Sequence, residues 1–171
     1  MTRAVLSLGG NLDDPAGHLR AAVSGLDEWL LAVSGVYETD PWGEPDQPPY
    51  LNAAALVHDE TATPRDWLER ARALELAAGR VRRAGQRFGP RTLDVDVVVV
   101  WTDDGEPVRS DDPQLTLPHP RAHLRAFVLR PWVDIQPYAV LPGHGRLTDL
   151  LRAEPVASQL AGVRARAELE L

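Results

Sequence analysis

Residues 3–8 (RAVLSL) open the chain as a short, apolar-rich strand candidate. Gly9-Gly10-Asn11 and Asp13-Asp14 read as a turn, and Pro15 suits the first position of a helix capped by Asp14. Leu19, Ala22, Val23, Leu26 and Leu30 then recur at helical spacing to about residue 31. Two more strands are predicted over 33–39 (VSGVYET) and 51–58 (LNAAALVH). The stretch between them (DPWGEPDQPP) holds four prolines and cannot be regular structure. Thr63-Pro64 starts a second helix, with Trp67, Ala71, Leu74 and Ala78 along one face. A last strong strand runs from Thr92 to Val100.

The order is β-α-β-β-α-β, the split βαβ arrangement of ferredoxin-like α+β folds. It predicts an antiparallel sheet with both helices on one face. Beyond residue 102 the pattern weakens. A turn-rich stretch leads to helical spacing through His123, Phe127 and Leu129, and residues 147–151 and the last fifteen are weakly helical. Repeats, linkers and low-complexity tracts are absent, so a single domain over 1–171 with C-terminal elaborations is expected.

Composition narrows the function classes. A chain of 171 residues with 44% apolar and 25% charged content can bury a core. A net charge of −7 argues against a general nucleic-acid coat. With no cysteine, disulfides and thiolate metal sites are excluded and a reducing compartment is the default. Arg3 and Asn11 leave no apolar targeting core, and no stretch approaches a membrane span. A cytoplasmic protein is expected, without membrane or nucleic-acid partners. Since no interface stripe stands out, a monomer is expected too. All 18 basic residues are arginine, which rules out a Walker-type phosphate lysine or a Schiff base.

Against this acidic background, Arg80, Arg82, Arg83, Arg87 and Arg91 crowd one segment, uninterrupted by acidic residues. Asp94 and Asp96 follow at once. On a strand, residues i and i+2 share a face, so Asp94, Asp96 and Val98 oppose Leu93, Val95 and Val97. Two adjacent carboxylates resist burial unless positive charge lies between them. With oxygen donors alone, the fitting cations are Mg²⁺ or Mn²⁺. The arginines suit polyphosphate oxygens, and glycines 79, 85 and 89 would let the segment close over a ligand. The plainer readings are strand aspartates in salt bridges and a solvated basic loop. Pro90-Arg91 joins the cluster directly to the aspartate strand and favours a metal-assisted nucleotide site. His119, in the rigid Leu117-Pro118-His119-Pro120 turn, could donate a hydrogen bond to an oxyanion. Tyr50, Phe127, Trp42 and Phe88 are candidate ligand aromatics, with core packing the ordinary role for each. Asn52, among small apolar residues, needs partners that a heterocycle would supply.

Six blocks, SLGGN, YETDPWG, DQPPYLNAA, LELAAGRVR, FGPRTLDVDVVV and LTLPHPRAHLRAFVLRPW, run in order along nearly the whole chain. Together they resemble the 6-hydroxymethyl-7,8-dihydropterin pyrophosphokinase family of folate biosynthesis. The resemblance implies transfer of the β,γ-pyrophosphoryl unit of ATP to the pterin hydroxymethyl oxygen, with release of AMP. It implies two Mg²⁺ ions on Asp94 and Asp96, and phosphates held by Arg80 and Arg91. Arg82 and Arg83 would belong to a mobile catalytic loop, with Phe88 on its lid. Thr116 and His119 would contact ATP, and Glu75 and Arg125 would line the site. Tyr50 and Phe127 would sandwich the pterin ring, with Thr39 and Asn52 at its edge. Gly9, Asp40 and Trp42 would complete that pocket. The chain departs from the family pattern at Gly10, where many members carry serine, at Asp40 and at Pro120. Two other readings of the residues stand beside this one: a non-catalytic ferredoxin-like binding module and a two-metal phosphodiesterase.

Overall fold

A nine-residue run, Thr2–Gly10, forms β1, an interior strand of a six-stranded sheet. A computed structural model of the chain describes residues 1–41, 45–81 and 89–171. After β1 come α1 (Pro15–Gly25), β2 (Leu30–Val33), β3 (Tyr37–Thr39), β4 (Tyr50–Asp59), α2 (Pro64–Ala77) and β5 (Asp94–Thr102). A small hairpin follows, β6 (Ser110–Asp112) with β7 (Leu115–Leu117), and then α3 (Ala126–Ile135). The C-terminal part adds the β8 (Val140–Leu141) and β9 (Gly145–Arg146) pair, α4 (Leu147–Leu150), α5 (Val156–Gln159) and β10 (Val163–Ala165). The sheet order is β10-β3-β4-β1-β5, with β2 also on β4, and every pairing is antiparallel.

Sequence explains the helix starts. Asp14 accepts from the Gly17 amide, with Pro15 at the first helical position. Thr63 and Asp66 form a reciprocal capping box ahead of α2. The buried faces of α1 (Leu19, Ala22, Val23) and α2 (Trp67, Ala71) pack with Leu6, Leu8, Val95 and Val97 on one side of the sheet. Both predicted helices therefore share a face, as expected. The other side is covered by α3, whose Val128, Leu129 and Trp132 pack against Val5, Ala54, Leu56, Val98 and Val99.

Several elements differ from the pattern reading. Gly9 and Gly10 are strand residues rather than part of a turn, paired with Asn52 and Leu51. The helix predicted to about residue 31 stops at Gly25, where the chain passes so near α2 that a Cβ would sit 2.7 Å from a Leu74 methyl. Leu30 joins a strand, because pairing with Val57 on β4 outweighs its helical spacing. The strand expected over 33–39 is two strands. At the break, Ser34 Oγ accepts from the Ala54 amide while the Ser34 amide donates to the Ala54 carbonyl. The last strong strand begins at Asp94 rather than Thr92. The C-terminal fifteen residues, read as weakly helical, contribute edge strand β10, pinned by Arg164 and Arg166 on Glu38.

One irregularity places a functional group. The β1–β5 register slips between Val5 and Leu6, so Val98 is an extra residue on β5. Val98 and Val99 then both face α3. The Val98 carbonyl accepts from the His119 amide at 2.7 Å, which draws the Pro118–Pro120 turn onto the strand beside Asp96. No described helix is long and apolar enough to cross a membrane.

Candidate active site

Cross-strand register brings the chemistry together. Ser7 opposes Asp96 and Ala54, and Gly9 opposes Asp94 and Asn52, so all these positions share the α3 face of the sheet. The start of α3 stands over them, presenting Arg125 and Phe127, with the guanidinium 5.5 Å from the ring centroid.

The two carboxylates live in different surroundings. Asp94 receives Arg80 Nη1 at 2.5 Å and Arg91 Nη1 at 3.2 Å. Burial works against its charge, but the two guanidinium groups outweigh burial and hold its pKa below the ordinary value. Among the described residues, Asp96 has only distant partners, Arg125 Nη1 at 3.6 Å and His119 Nε2 at 3.7 Å. Burial, and then the neighbouring Asp94 charge, push its pKa up to about 7. Burial and the nearby Arg125 push His119 down to about 4, so its imidazole is neutral at pH 7. His119 Nδ1 accepts the Arg121 amide at 3.1 Å, which leaves the hydrogen on Nε2, facing Asp96.

Buried Glu75, on α2, organises the arginine side. Its Oε1 accepts from the Val95 amide at 3.0 Å and from Arg80 Nη1. Arg80 therefore bridges Glu75 and Asp94 and also reaches the Leu93 carbonyl at 3.3 Å. The α2 pattern offers this position inward, because 67, 71 and 75 lie one turn apart.

Two pockets meet at the carboxylates. A narrow slot is lined by Gly9, Thr39, Asp40, Tyr50, Asn52 and Phe127, with Ser7 at its base. Asn52 Nδ2 donates to Thr39 Oγ1 at 2.7 Å, and both residues are buried. A wider basin of about 510 Å³ carries Glu75, Arg80, Thr116, His119 and Arg121. Arg91, Asp94, Asp96 and Arg125 line both. The predicted residues Gly9, Thr39, Asp40, Tyr50, Asn52, Glu75, Arg80, Arg91, Asp94, Asp96, Thr116, His119, Arg125 and Phe127 thus converge on one region. Trp42, Arg82, Arg83 and Phe88 lie outside the described residues. Sequence reasoning missed Ser7, Arg72 and Arg121 as lining residues. Arg121 could have been found, since it lies in the PHPRAH block. Ser7 likewise opens the SLGGN block, and its register opposite Asp96 explains its place in the site.

Gly10, one of the departures from the family pattern, has a steric reason here. A Cβ at this position would lie 2.2 Å from the Thr92 carbonyl oxygen, which is backbone and cannot rotate away. Gly10→Ala is expected to destabilise the fold by about 1–3 kcal/mol, the usual cost of overpacking. Because the adjoining Arg91 moves with Thr92, turnover is expected to fall with stability, and thermal melts read beside kcat check both.

Among the described residues, no three or more His, Cys, Asp or Glu side chains converge as a metal cage. The oxygen donors present, Asp94 and Asp96, fit a hard cation that draws its remaining ligands from water and phosphate. The desolvated, weakly neutralised Asp96 is the observation that favours such a cation.

A flat slot and an arginine-rich basin sharing one wall define an enzyme that transfers a group between two bound molecules. The comparisons say which. A family model for 7,8-dihydro-6-hydroxymethylpterin-pyrophosphokinase (HPPK) matches residues 5–137. A 2-amino-4-hydroxy-6-hydroxymethyldihydropteridine pyrophosphokinase of Mycobacterium tuberculosis is 50% identical over 145 residues, covering 82% of this chain and 76% of the relative. The Mycobacterium leprae counterpart is 46% identical over 171 residues, covering 96% and 88%. That of Pseudomonas aeruginosa is 40% identical over 157 residues, covering 90% and 92%. Among solved structures, Plasmodium falciparum HPPK-DHPS superposes with a TM-score of 0.66 at 12% identity, covering 96% of this chain and 47% of that one. The chain thus spans just under half of that protein, and the likeness there concerns the fold: an antiparallel sheet with packed helices. The chain belongs to the 7,8-dihydro-6-hydroxymethylpterin-pyrophosphokinase family, and its activity is pyrophosphate transfer in folate biosynthesis.

Proposed function

We propose that this chain transfers the β,γ-diphosphoryl group of ATP to the hydroxymethyl oxygen of 6-hydroxymethyl-7,8-dihydropterin, releasing AMP. The observation that carries the reading is the shared wall: Arg91, Asp94, Asp96 and Arg125 border both the slot and the basin. A flat heterocycle in the slot and a triphosphate in the basin would bring the hydroxyl and the β-phosphorus together there.

In the slot, Tyr50 and Phe127 supply aromatic surface, and the Asn52–Thr39 pair offers polar atoms to the ring edge. Gly9 keeps the slot open beside Asn52; a Cβ there would lie 2.5 Å from Asn52 Oδ1. In the basin, Arg80, Arg91 and Arg125 offer N–H donors to charge that develops on the transferred group. His119 Nε2 donates to a phosphate oxygen, and Thr116 and Glu75 line the nucleotide's path. Arg82, Arg83, Phe88 and Trp42 are proposed from their places in the matching blocks. Asp94 and Asp96 would hold two Mg²⁺ ions, which neutralise the triphosphate and acidify the attacking hydroxyl when bound.

The wider reading is a single cytoplasmic domain over 1–171, monomeric, with small-molecule substrates only. A ferredoxin-like plan is supported by the order β5-β1-β4-β3 with α1 and α2 on one face. Asn52→Leu is expected to raise the KM for the pterin about a hundredfold, because polar edge groups of the ring lose partners in a buried site. ATP binding should be unchanged, and titration calorimetry with each ligand separates the two effects.

The deciding experiment mixes purified protein, ATP, Mg²⁺ and the pterin and follows nucleotides by chromatography. AMP formed only in the presence of the pterin is the expected result. ADP would mean γ-phosphoryl transfer, and the proposed β-attack would be wrong. Mg²⁺-dependent ATP binding without turnover would reduce the chain to a binding module.

A further inference from the structure

The SLGGN block contributes one buried polar side chain that lines neither the slot nor the basin. Asn11 is 4% exposed, and all of its head-group atoms are engaged. Its Oδ1 accepts from the Arg91 amide at 3.0 Å. Its Nδ2 donates to the Pro48 carbonyl at 2.9 Å and to Gln47 Oε1 at 3.0 Å. Its backbone amide donates to the Arg91 carbonyl at 2.9 Å. The orientation of the amide is fixed chemically, because a backbone N–H must face oxygen and a backbone carbonyl must face NH₂.

These contacts close into a ring. The single Tyr50 hydroxyl proton is shared between two acceptors, Gln47 Oε1 at 3.0 Å and the Gly89 carbonyl at 3.1 Å. Arg91 Nε donates to that same carbonyl at 3.1 Å. The path Asn11–Gln47–Tyr50–Gly89–Arg91–Asn11 therefore joins three segments far apart in sequence. It links the aromatic wall of the slot to the arginine that touches Asp94.

We propose that Asn11 and Gln47 are positioning residues for the transfer reaction: their hydrogen-bonded ring fixes Tyr50 relative to Arg91, and so the acceptor pocket relative to the phosphate side. The assignment rests on the functional reading above. Aspartate at position 11 cannot serve, since its second oxygen would face the Pro48 carbonyl and Gln47 Oε1, acceptor against acceptor. Glutamate at position 47 keeps the accepting oxygen that Asn11 and Tyr50 use.

The test compares Asn11→Asp, Gln47→Ala, Gln47→Glu and the Asn11→Asp/Gln47→Ala double variant with wild type. Asn11→Asp and Gln47→Ala are each expected to lower kcat/KM for the pterin about tenfold or more, with ATP affinity within threefold of wild type. Gln47→Glu, which keeps the accepting oxygen, should lose less than Gln47→Ala. The double variant should lose little more than the worse single, because both changes break one ring. Folded Asn11→Asp and Gln47→Ala variants with unchanged kinetics, or losses that simply multiply, would overturn the proposal. Amide exchange gives an activity-independent readout: Gln47→Ala should speed exchange at the Arg91 amide, and no change there also overturns the ring. If wild type makes no AMP, the functional reading fails by itself, and exchange still judges the ring.

Discussion

Asp96→Asn is expected to lower kcat by about a thousandfold while making the metal-free protein more heat-resistant at pH 8. The two effects have one origin. Asp96 is half-buried beside a second carboxylate, with the Arg125 guanidinium at 3.6 Å and the neutral His119 at 3.7 Å; desolvation and the Asp94 charge push its pKa to about 7 from an ordinary value of 3.8. Between those two values the folded protein holds a proton that the unfolded chain has released. Stability of the metal-free protein therefore falls as pH rises through that window, and above pH 7 the full penalty is present. Asparagine removes the charge and with it the penalty, so the gap between variant and wild type should close near pH 4. Mg²⁺ with a non-hydrolysable ATP analogue should stabilise wild type at pH 8 more than at pH 5, and the variant should respond weakly at either. Melting curves at both pH values, read with steady-state kcat, check the set. Near-normal turnover in the variant would end the two-cation scheme.

Arg80→Ala is the second large effect, and it should strike stability and activity together. The guanidinium lies between Glu75 and Asp94, both sheltered from solvent, and the two carboxylates raise its own pKa despite burial. Removing it leaves two poorly hydrated carboxylates facing each other. Breaking such a pair from one side costs about 3 kcal/mol, or roughly 10 °C in melting temperature for a chain of this size. Adding Glu75→Gln to Arg80→Ala should recover part of the loss, because the amide oxygen can still accept the Val95 N–H without carrying charge. Activity should not return, since the proposed phosphate donor is still missing. If the double variant melts no higher than Arg80→Ala, the charge argument is wrong and lost packing is the cause.

The contrast between the two variants shows how the site divides its carboxylates. Asp94 is held ionised by the fold itself, through Arg80 and Arg91. Asp96 has no guanidinium that close among the described residues. Under the proposed two-cation scheme it is the carboxylate that meets the arriving cation.

Much of this was readable from residue order. Strand alternation put Asp94 and Asp96 on one face, and Thr63-Pro64 and Asp14-Pro15 marked the two helix starts, because capping and pleating are local rules. The arginine run and the glycine-rich first block carried enough pattern to indicate the family. Leu30 shows where local reading stops. Its spacing is helical, yet pairing with Val57 supplies more burial than one further helical turn would. The C-terminal strand is another case: three residues at a sheet edge carry no periodicity, and Val163–Ala165 is a strand only because β3 is there to receive it.

Residue order dictates which groups are present and which face of their element they take, since both follow from chain-local geometry. Their distances and charge states come from the packing of remote segments. The bulge at Val98 set His119 against Asp96, and the close approach at Gly10 seated Arg91 beside Asp94. Asn11 tied that arginine to the Tyr50 segment. Each of these depends on backbone atoms from remote segments meeting within hydrogen-bond range, and one-dimensional periodicity carries no record of such meetings.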